Sequence, residues 1–336
     1  MVKVLENCFP SSKRAAILLA TLSRFGITII VSFLFCGLEY QKMIPPPFEY
    51  YAPSSLTEAL SLLQKSGENA KVLAGGQSLI PVMKLRLGQP SHLIDLNGID
   101  GLSYIRESDS KLRIGAMTRM ADLESSSLLK TKYGILHDAA KDIADPLVRN
   151  RGTAGGNISH ADPANDLPAV MLALEAEMTS AGPGGAKRSF RAQDFFVDSF
   201  TTALTHDEIL TEIAIPMYAP GSGGAYMKLE KRVGDFAIVG VAAQISLDRD
   251  GKCAKAGIGL TAVGPTALKA TEAEEYLKGK SLSDPSILAQ AGELASKKAS
   301  PAADLRGPAE YKTEMIKVIT VRTLGQARVR AMGGAA

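Results

Sequence analysis

The spacing of apolar positions becomes regular from Pro45 onward, and its changes of period mark the elements. Ser55-Leu56-Thr57-Glu58 has the form of a capping box, and Leu56, Ala59, Leu60 and Leu63 follow at helical spacing. Residues 71–74 predict a short apolar strand that runs into Gly75-Gly76; residues 92–96 predict a second strand and residues 111–117 a third. A helix follows Thr118 and another covers residues 133–144. Residues 149–166 read as a loop, followed by an apolar helix over residues 167–176. AGPGGA at residues 181–186 predicts a turn between strands, and residues 208–216 a strand that closes the first half.

The Gly- and Pro-rich stretch at residues 218–224 divides the chain into units at 43–219 and 220–336. Beyond it, residues 237–247 and 255–262 alternate enough to pair as strands. Helical patterns cover residues 266–278, 284–299 and 308–330, the last with Tyr311, Met315, Val318 and Ile319 on one apolar face. These helices read as scaffold or interface and carry no evident chemistry. No internal repeat is present.

Residues 1–42 stand apart. Residues 15–38 are mostly apolar, interrupted by one charged residue, Arg24, with Lys13 and Arg14 ahead of them. A helix of that length matches a hydrocarbon core of roughly 30 Å, while an arginine near its middle costs about 2.5–3.5 kcal/mol. Met43 opens MIPPPFEYYAPSSL and reads as a natural chain start. Two readings stand side by side: a loose appendage or upstream start, and a membrane anchor.

Composition narrows the function. Thirty-eight basic residues face 35 acidic ones, for a net charge of +3, so no nucleic-acid surface is expected. The three cysteines, Cys8, Cys36 and Cys253, are far apart and cannot supply four thiolates to an iron–sulfur cluster. Four histidines give no metal-ligand spacing, so no resident metal is expected and His160 and Asp162 read as loop-shaping residues. Sparse cysteines also fit a reducing compartment, and the expected location is cytoplasmic.

Two segments carry chemistry. Ala74-Gly75-Gly76-Gln77-Ser78-Leu79-Ile80-Pro81 follows a strand. Thr153-Ala154-Gly155-Gly156-Asn157 leads into ISHADPAND, which ends at Asp166. Paired glycines permit close backbone approach and positive φ, and successive N–H groups form an anion nest. Neither segment has a P-loop lysine and the chain has no G-x-G-x-x-G, which argues against a nucleotide triphosphate and a Rossmann dinucleotide site. A pyrophosphate between two Gly–Gly turns remains.

With those flanks the chain resembles, from Pro45 to Ala327, the FAD-binding medium subunit of the molybdenum hydroxylases, the family of carbon monoxide, xanthine and aldehyde dehydrogenases. The matching stretches are PPPFEYYAPSSLTEAL, AGGQSLIPVMKLRLGQP, VRNRGTAGGNISHADPANDLP, DEILTEIAIP, KRVGDFAIVGVAA and DLRGPAEYKTEM, in family order. The resemblance implies an α+β fold. A p-cresol methylhydroxylase type FAD-binding domain of two α+β subdomains precedes a C-terminal domain with a small antiparallel sheet and a helical bundle. It implies FAD contacts from Gly75, Gly76, Gln77, Ser78 and Leu79 on one loop and Thr153, Gly155, Gly156 and Asn157 on the other. Asp166 falls near the flavin's polar groups, with a second role as N-cap of the helix at Leu167. Leu210 falls against the ring, and Lys228 aligns with a basic residue near it in one of two registers. Phe200 and Tyr226 are both candidates for an aromatic neighbour of the flavin; Arg232 and Asp235 flank the same place as Lys228 and read equally as a surface ion pair.

The family implies a subunit with no catalytic acid or base of its own. A large molybdenum-cofactor subunit oxidises the substrate, a small [2Fe–2S] subunit relays electrons to the FAD, and the flavin delivers them to an acceptor, in a dimer of heterotrimers. The alternative is a self-contained FAD oxidoreductase of the vanillyl-alcohol oxidase superfamily. Against it, no His or Cys stands where a covalent flavin link is signalled.

Overall fold

The computed structural model describes residues 44–334. Its first unit is a three-stranded parallel sheet, β1 (Glu49–Tyr51), β2 (Ala70–Leu73) and β3 (His92–Asp95), in the order β1-β3-β2. Helix α1 (Leu56–Ser66) packs on it through Ala59, Leu60 and Leu63. Ser55 caps α1 by accepting from the Glu58 N–H at 3.2 Å, but Glu58 reaches back to the Ser54 N–H at 2.9 Å, one residue earlier than a capping box requires. After β2 the chain turns through the first glycine pair into the short helix α2 (Leu79–Lys84).

The second unit is an antiparallel sheet of β4 (Ile105–Ser108), β5 (Lys111–Gly115), β6 (Glu177–Ala181), β7 (Lys187–Arg191) and a later strand, Ile209–Pro216. Six helices lie between β5 and β6: α3 (Met120–Ser125), α4 (Ser127–Lys132), α5 (Gly134–Asp142), α6 (Pro146–Arg151), α7 (Ala154–His160) and α8 (Asp166–Ala173). Residues 149–166, expected as a loop, therefore contain the end of α6 and the whole of α7. Asp145 caps α6 with Pro146 at the first turn, and Thr153 caps α7 by accepting from the Gly156 N–H at 3.1 Å. The segment 192–202 adds α9 (Ala192–Phe195), β8 (Phe196–Asp198) and β9 (Thr201–Thr202), after which β10 (Ile209–Pro216) enters between β5 and β6 to complete the order β4-β5-β10-β6-β7.

The C-terminal unit is an antiparallel sheet of β11 (Ser222–Leu229), β12 (Val239–Leu247), β13 (Cys253–Thr261) and β14 (Leu268–Lys269), followed by α10 (Thr271–Leu277), α11 (Pro285–Lys298) and α12 (Ala309–Ala331). The fold class is that expected, an α+β flavoprotein architecture with a small antiparallel sheet and helices at the C-terminus. Helix α10 is shorter than its pattern suggested because residues 268 and 269 pair with β13 instead. Helix α12 buries Lys312, Ile316, Ile319, Thr320, Thr323 and Leu324. Tyr311 and Val318 stay on the exposed side, so the true face is rotated from the expected one. The Lys312 stem is covered while its ammonium reaches Asp304 at 2.8 Å and the Ala302 carbonyl at 3.0 Å.

One contact joins the two halves closely. All eight residues of α8 are buried, and the helix lies on β13 at Gly257 and Gly259. A Cβ on Gly257 would fall 2.1 Å from the Ala173 carbonyl oxygen, and one on Gly259 would fall 2.0 Å from that of Ala169. Only glycine permits that approach. Tyr226 and Ala242 of the C-terminal sheet belong to the same core as α5, α8 and β10. Among the described residues no helix is long and apolar enough to cross a membrane; the apolar run at 15–38 lies outside the described residues.

Candidate functional site

A cleft of about 770 Å³ runs between the three-stranded sheet, the five-stranded sheet and the 234–236 loop of the C-terminal unit. That size suits a large organic cofactor. Gly75, Gly76, Gln77, Ser78, Leu79, Thr153, Gly155, Gly156, Asn157, Asp166 and Leu210 all line it. Lys228 does not. Its side chain is 2% exposed and sits behind Asp166, with Nζ 3.5 Å from Asp166 Oδ1.

The two glycine loops differ in chemistry. On the first, the main-chain N–H groups of Gly75, Gly76, Gln77, Ser78 and Leu79 have no protein acceptor among the described residues. These five consecutive N–H groups surround a Gly76 at φ +74° and belong to residues that line the cleft, the kind of backbone from which an anion nest is built. On the second, the donors are already used. The N–H groups of Ala154, Gly155 and Asn157 donate to the carbonyls of Thr118, Ala116 and Thr153 at 2.8–3.0 Å, and that of Gly156 donates to Thr153 Oγ1. What this loop offers the cleft is the Asn157 side chain, whose Oδ1 is buried with no partner among the described residues. An orphaned buried acceptor beside an unpaired donor nest is what a polar ligand with an anionic group would satisfy.

The glycines also serve the protein itself. A Cβ on Gly75 would stand 2.4 Å from the Arg151 carbonyl oxygen, and one on Gly155 would stand 2.6 Å from Ala116 Cβ. These two let the loops touch each other and the sheet. The contact is stapled by residues the sequence did not single out. Asn97 Nδ2 donates to the Ala74 carbonyl at 2.9 Å. The Arg119 guanidinium donates to Asn97 Oδ1 at 2.6 Å and to the Arg151 carbonyl, so it ties one loop to the other. No local motif marks Asn97 or Arg119; only the tertiary arrangement brings them together.

The far wall resolves several expectations. Phe200 lines the cleft, 59% exposed, with φ +56° and its ring 5.3 Å from that of His160. Tyr226 is buried away from it. His160 lies 4.0 Å from Asp162, and burial holds its imidazole below the usual histidine range. Asp166 is the first residue of α8 rather than its cap; Asn165 holds the cap position. Burial pushes the Asp166 carboxyl up to about 6, against the opposing pull of the Lys228 ammonium and the Tyr226 hydroxyl that donates to Oδ1. Asp235 pairs with Arg306 at 3.1 Å and not with Arg232. Gly234, Asp235 and Phe236 complete the wall. Gly234 has φ +84° and packs on the Ala144 carbonyl, the signal in GDF that the sequence reading passed over.

The match to known families decides what the cleft belongs to. Residues 46–218 match the model of the FAD binding domain in molybdopterin dehydrogenase, and residues 224–327 match the CO dehydrogenase flavoprotein C-terminal domain. The chain belongs to the molybdopterin-dehydrogenase flavoprotein family. Within that family it is 45% identical over 289 residues to the carbon monoxide dehydrogenase medium chain of Hydrogenophaga pseudoflava, covering 86% of this chain and 99% of the relative. It is 40% identical to the 6-hydroxypseudooxynicotine dehydrogenase complex subunit alpha of Paenarthrobacter nicotinovorans, covering 86% of this chain and 97% of that one. A solved carbon monoxide dehydrogenase from Hydrogenophaga pseudoflava superposes with a TM-score of 0.83 at 46% identity, over 86% of this chain and 99% of that chain. Quinoline 2-oxidoreductase from Pseudomonas putida 86 does so with 0.80 at 35%, over 86% of this chain and all (100%) of that one. The chain is thus the FAD-binding medium subunit of an oxidoreductase of the molybdenum hydroxylase type.

Proposed function

We propose that this flavoprotein subunit holds FAD non-covalently in the 770 Å³ cleft and passes electrons from the [2Fe–2S] clusters of a small partner to an external acceptor. The large partner would carry the molybdenum cofactor, in a dimer of heterotrimers. The observation that carries the site is the run of five N–H groups at Gly75–Leu79 without an acceptor among the described residues, in the same cleft as Asn157, whose Oδ1 is also without a partner among them. In this reading the pyrophosphate sits on the first loop. The second loop, through Thr153, Gly155 and Gly156, shapes the opposite wall, and Asn157 supplies a side-chain contact. Asp166, Leu210 and Phe200 border the ring, with Lys228 acting from behind. FAD supplies the redox chemistry; the protein binds it, orients it and sets its electrostatic surroundings.

The relatives' names range over carbon monoxide, 6-hydroxypseudooxynicotine and quinoline. Such variety around a common flavoprotein chain supports placing substrate choice in a partner. The test is purification of the full chain with its genomic neighbours, followed by flavin extraction and metal analysis. One FAD per chain, released on denaturation, with molybdenum and iron in the co-purifying chains, is expected. A well-folded chain without flavin, or a flavin still attached after denaturation, overturns the reading.

A further inference from the structure

Behind Asp166 and Lys228 the cleft is backed by further buried polar and ionisable groups, Tyr226 among them, that do not line it. Strand β11 alternates its side chains across the sheet, so Tyr226 and Lys228, two residues apart, project to the same side. Both reach Asp166 on α8. The Tyr226 hydroxyl donates to Asp166 Oδ1, and Lys228 Nζ lies 3.5 Å from the same oxygen. Lys228 is itself held by the carbonyls of Asp142 at 2.6 Å and Asp235 at 3.0 Å, and lies 3.3 Å from Glu230 Oε2. Around this one ammonium stand the carboxyls of Asp142, Asp166 and Glu230. From α5, Asp138 accepts from the Tyr226 N–H at 3.2 Å and pairs with Arg330 of α12 at 2.6 Å, while Lys141 adds a more distant positive charge. On the α7 side His160 is kept toward its neutral form by burial. Of the three acidic residues around Lys228, only Asp166 is among those that line the cleft.

We propose that Tyr226 is a positioning residue through which the C-terminal domain tunes the flavin: its hydroxyl fixes the Asp166 side chain and favours its charged form at the cleft wall. The inference rests on the reading that FAD occupies this cleft. Three observations support it. The bond crosses from the C-terminal sheet to the FAD-binding domain. The glycine contact of α8 with β13 leaves Asp166 little freedom to move independently of that sheet. The tyrosine is buried with its own proton retained far above the usual phenol range, so it remains a donor. A carboxylate held beside the flavin disfavours added negative charge there, and a neutral carboxyl does not.

The experiment uses the full chain loaded with FAD, with the flavin midpoint potential measured across pH ~5–8. In the native protein the plot of potential against pH should show a bend from Asp166, whose carboxyl burial raises to about 6 in the flavin-free chain. Tyr226→Phe keeps the ring in the core and removes only the donor. It should move the bend to higher pH and raise the potential at neutral pH. Asp166→Asn should abolish the bend, and adding Tyr226→Phe to it should change nothing further. In the flavin-free chain, infrared titration of the protonated carboxyl band lost in Asp166→Asn should show the same upward move in Tyr226→Phe. An unmoved bend in Tyr226→Phe, or an equal shift in the Asp166→Asn background, overturns the proposal. A folded native chain that takes up no FAD overturns instead the reading on which it rests.

Discussion

At the scale of single residues, the glycines of the two loops are not equivalent. Gly75 meets main chain on its open side, 2.4 Å from the Arg151 oxygen and 2.7 Å from Gly152 Cα for an added Cβ, and main chain cannot swing away. Gly75→Ala should therefore cost about 1–3 kcal/mol and lower flavin content. At Gly156 the same Cβ meets Thr153 Oγ1 at 2.7 Å, a side chain that can rotate. Gly156→Ala should cost only the cap, about 1 kcal/mol. Urea unfolding and flavin content per chain measure both; equal losses would show that the loop-to-loop contact is not what Gly75 is for. Asp166 makes a second prediction. Its folded pKa of about 6 lies above the 3.8 of the free carboxyl, so the folded state binds more protons in between. This residue's contribution to stability is greatest below pH ~4, declines through pH ~6 and is constant above it, a change of about 3 kcal/mol. Asp166→Asn should gain on the native protein by that amount as pH rises through the window, in unfolding titrations of the flavin-free chain. A pH-independent difference would mean that Asp166 is not held protonated by burial. Both glycine pairs were legible in the sequence, but only the first is a turn; Gly155 and Gly156 lie in the first turn of α7. That one offers free donors and the other a lone amide was not legible, because the acceptors on Ala116 and Thr118 lie far back in the chain.

At the scale of elements, the sequence pattern located most strands and long helices to within a few residues. It missed the strand β11, whose start was read as the boundary stretch, and the helices α6 and α7. The two helices are six and seven residues long, too short to show a period, and their caps were read as loop composition. It also placed the face of α12 by its apolar residues, whereas the buried side is built partly from Lys312, Thr320 and Thr323. The packing of α8 on β13 was illegible for a related reason: its signal is the absence of side chains at Gly257 and Gly259. Gly259→Ala should push the helix off the sheet, cost about 1–3 kcal/mol and alter the flavin absorption, since Asp166 begins that helix. Gly325→Ala in α12, where an added Cβ meets nothing within 4 Å, should instead gain up to about 1 kcal/mol and leave the flavin untouched. Thermal melts followed in the visible and the far ultraviolet compare the two; a silent Gly259→Ala would show that the sheet and the site are independent.

At the scale of the whole molecule, we propose the division at 219 and 220 as one of chain order, with the two halves sharing a core through Tyr226 and Ala242. The order of the modules was readable because each carries local motifs. Their docking was not, because it depends on which faces meet. Helix α8 has no polar face to offer water once the C-terminal sheet is removed, and its first residue forms part of the cleft wall. The flavin should in consequence be an optical gauge of the four-stranded sheet that backs its site. A lesion in the four-stranded sheet, from proteolysis, heat or a failed assembly, should be visible as a change in the colour of the protein before any flavin is lost.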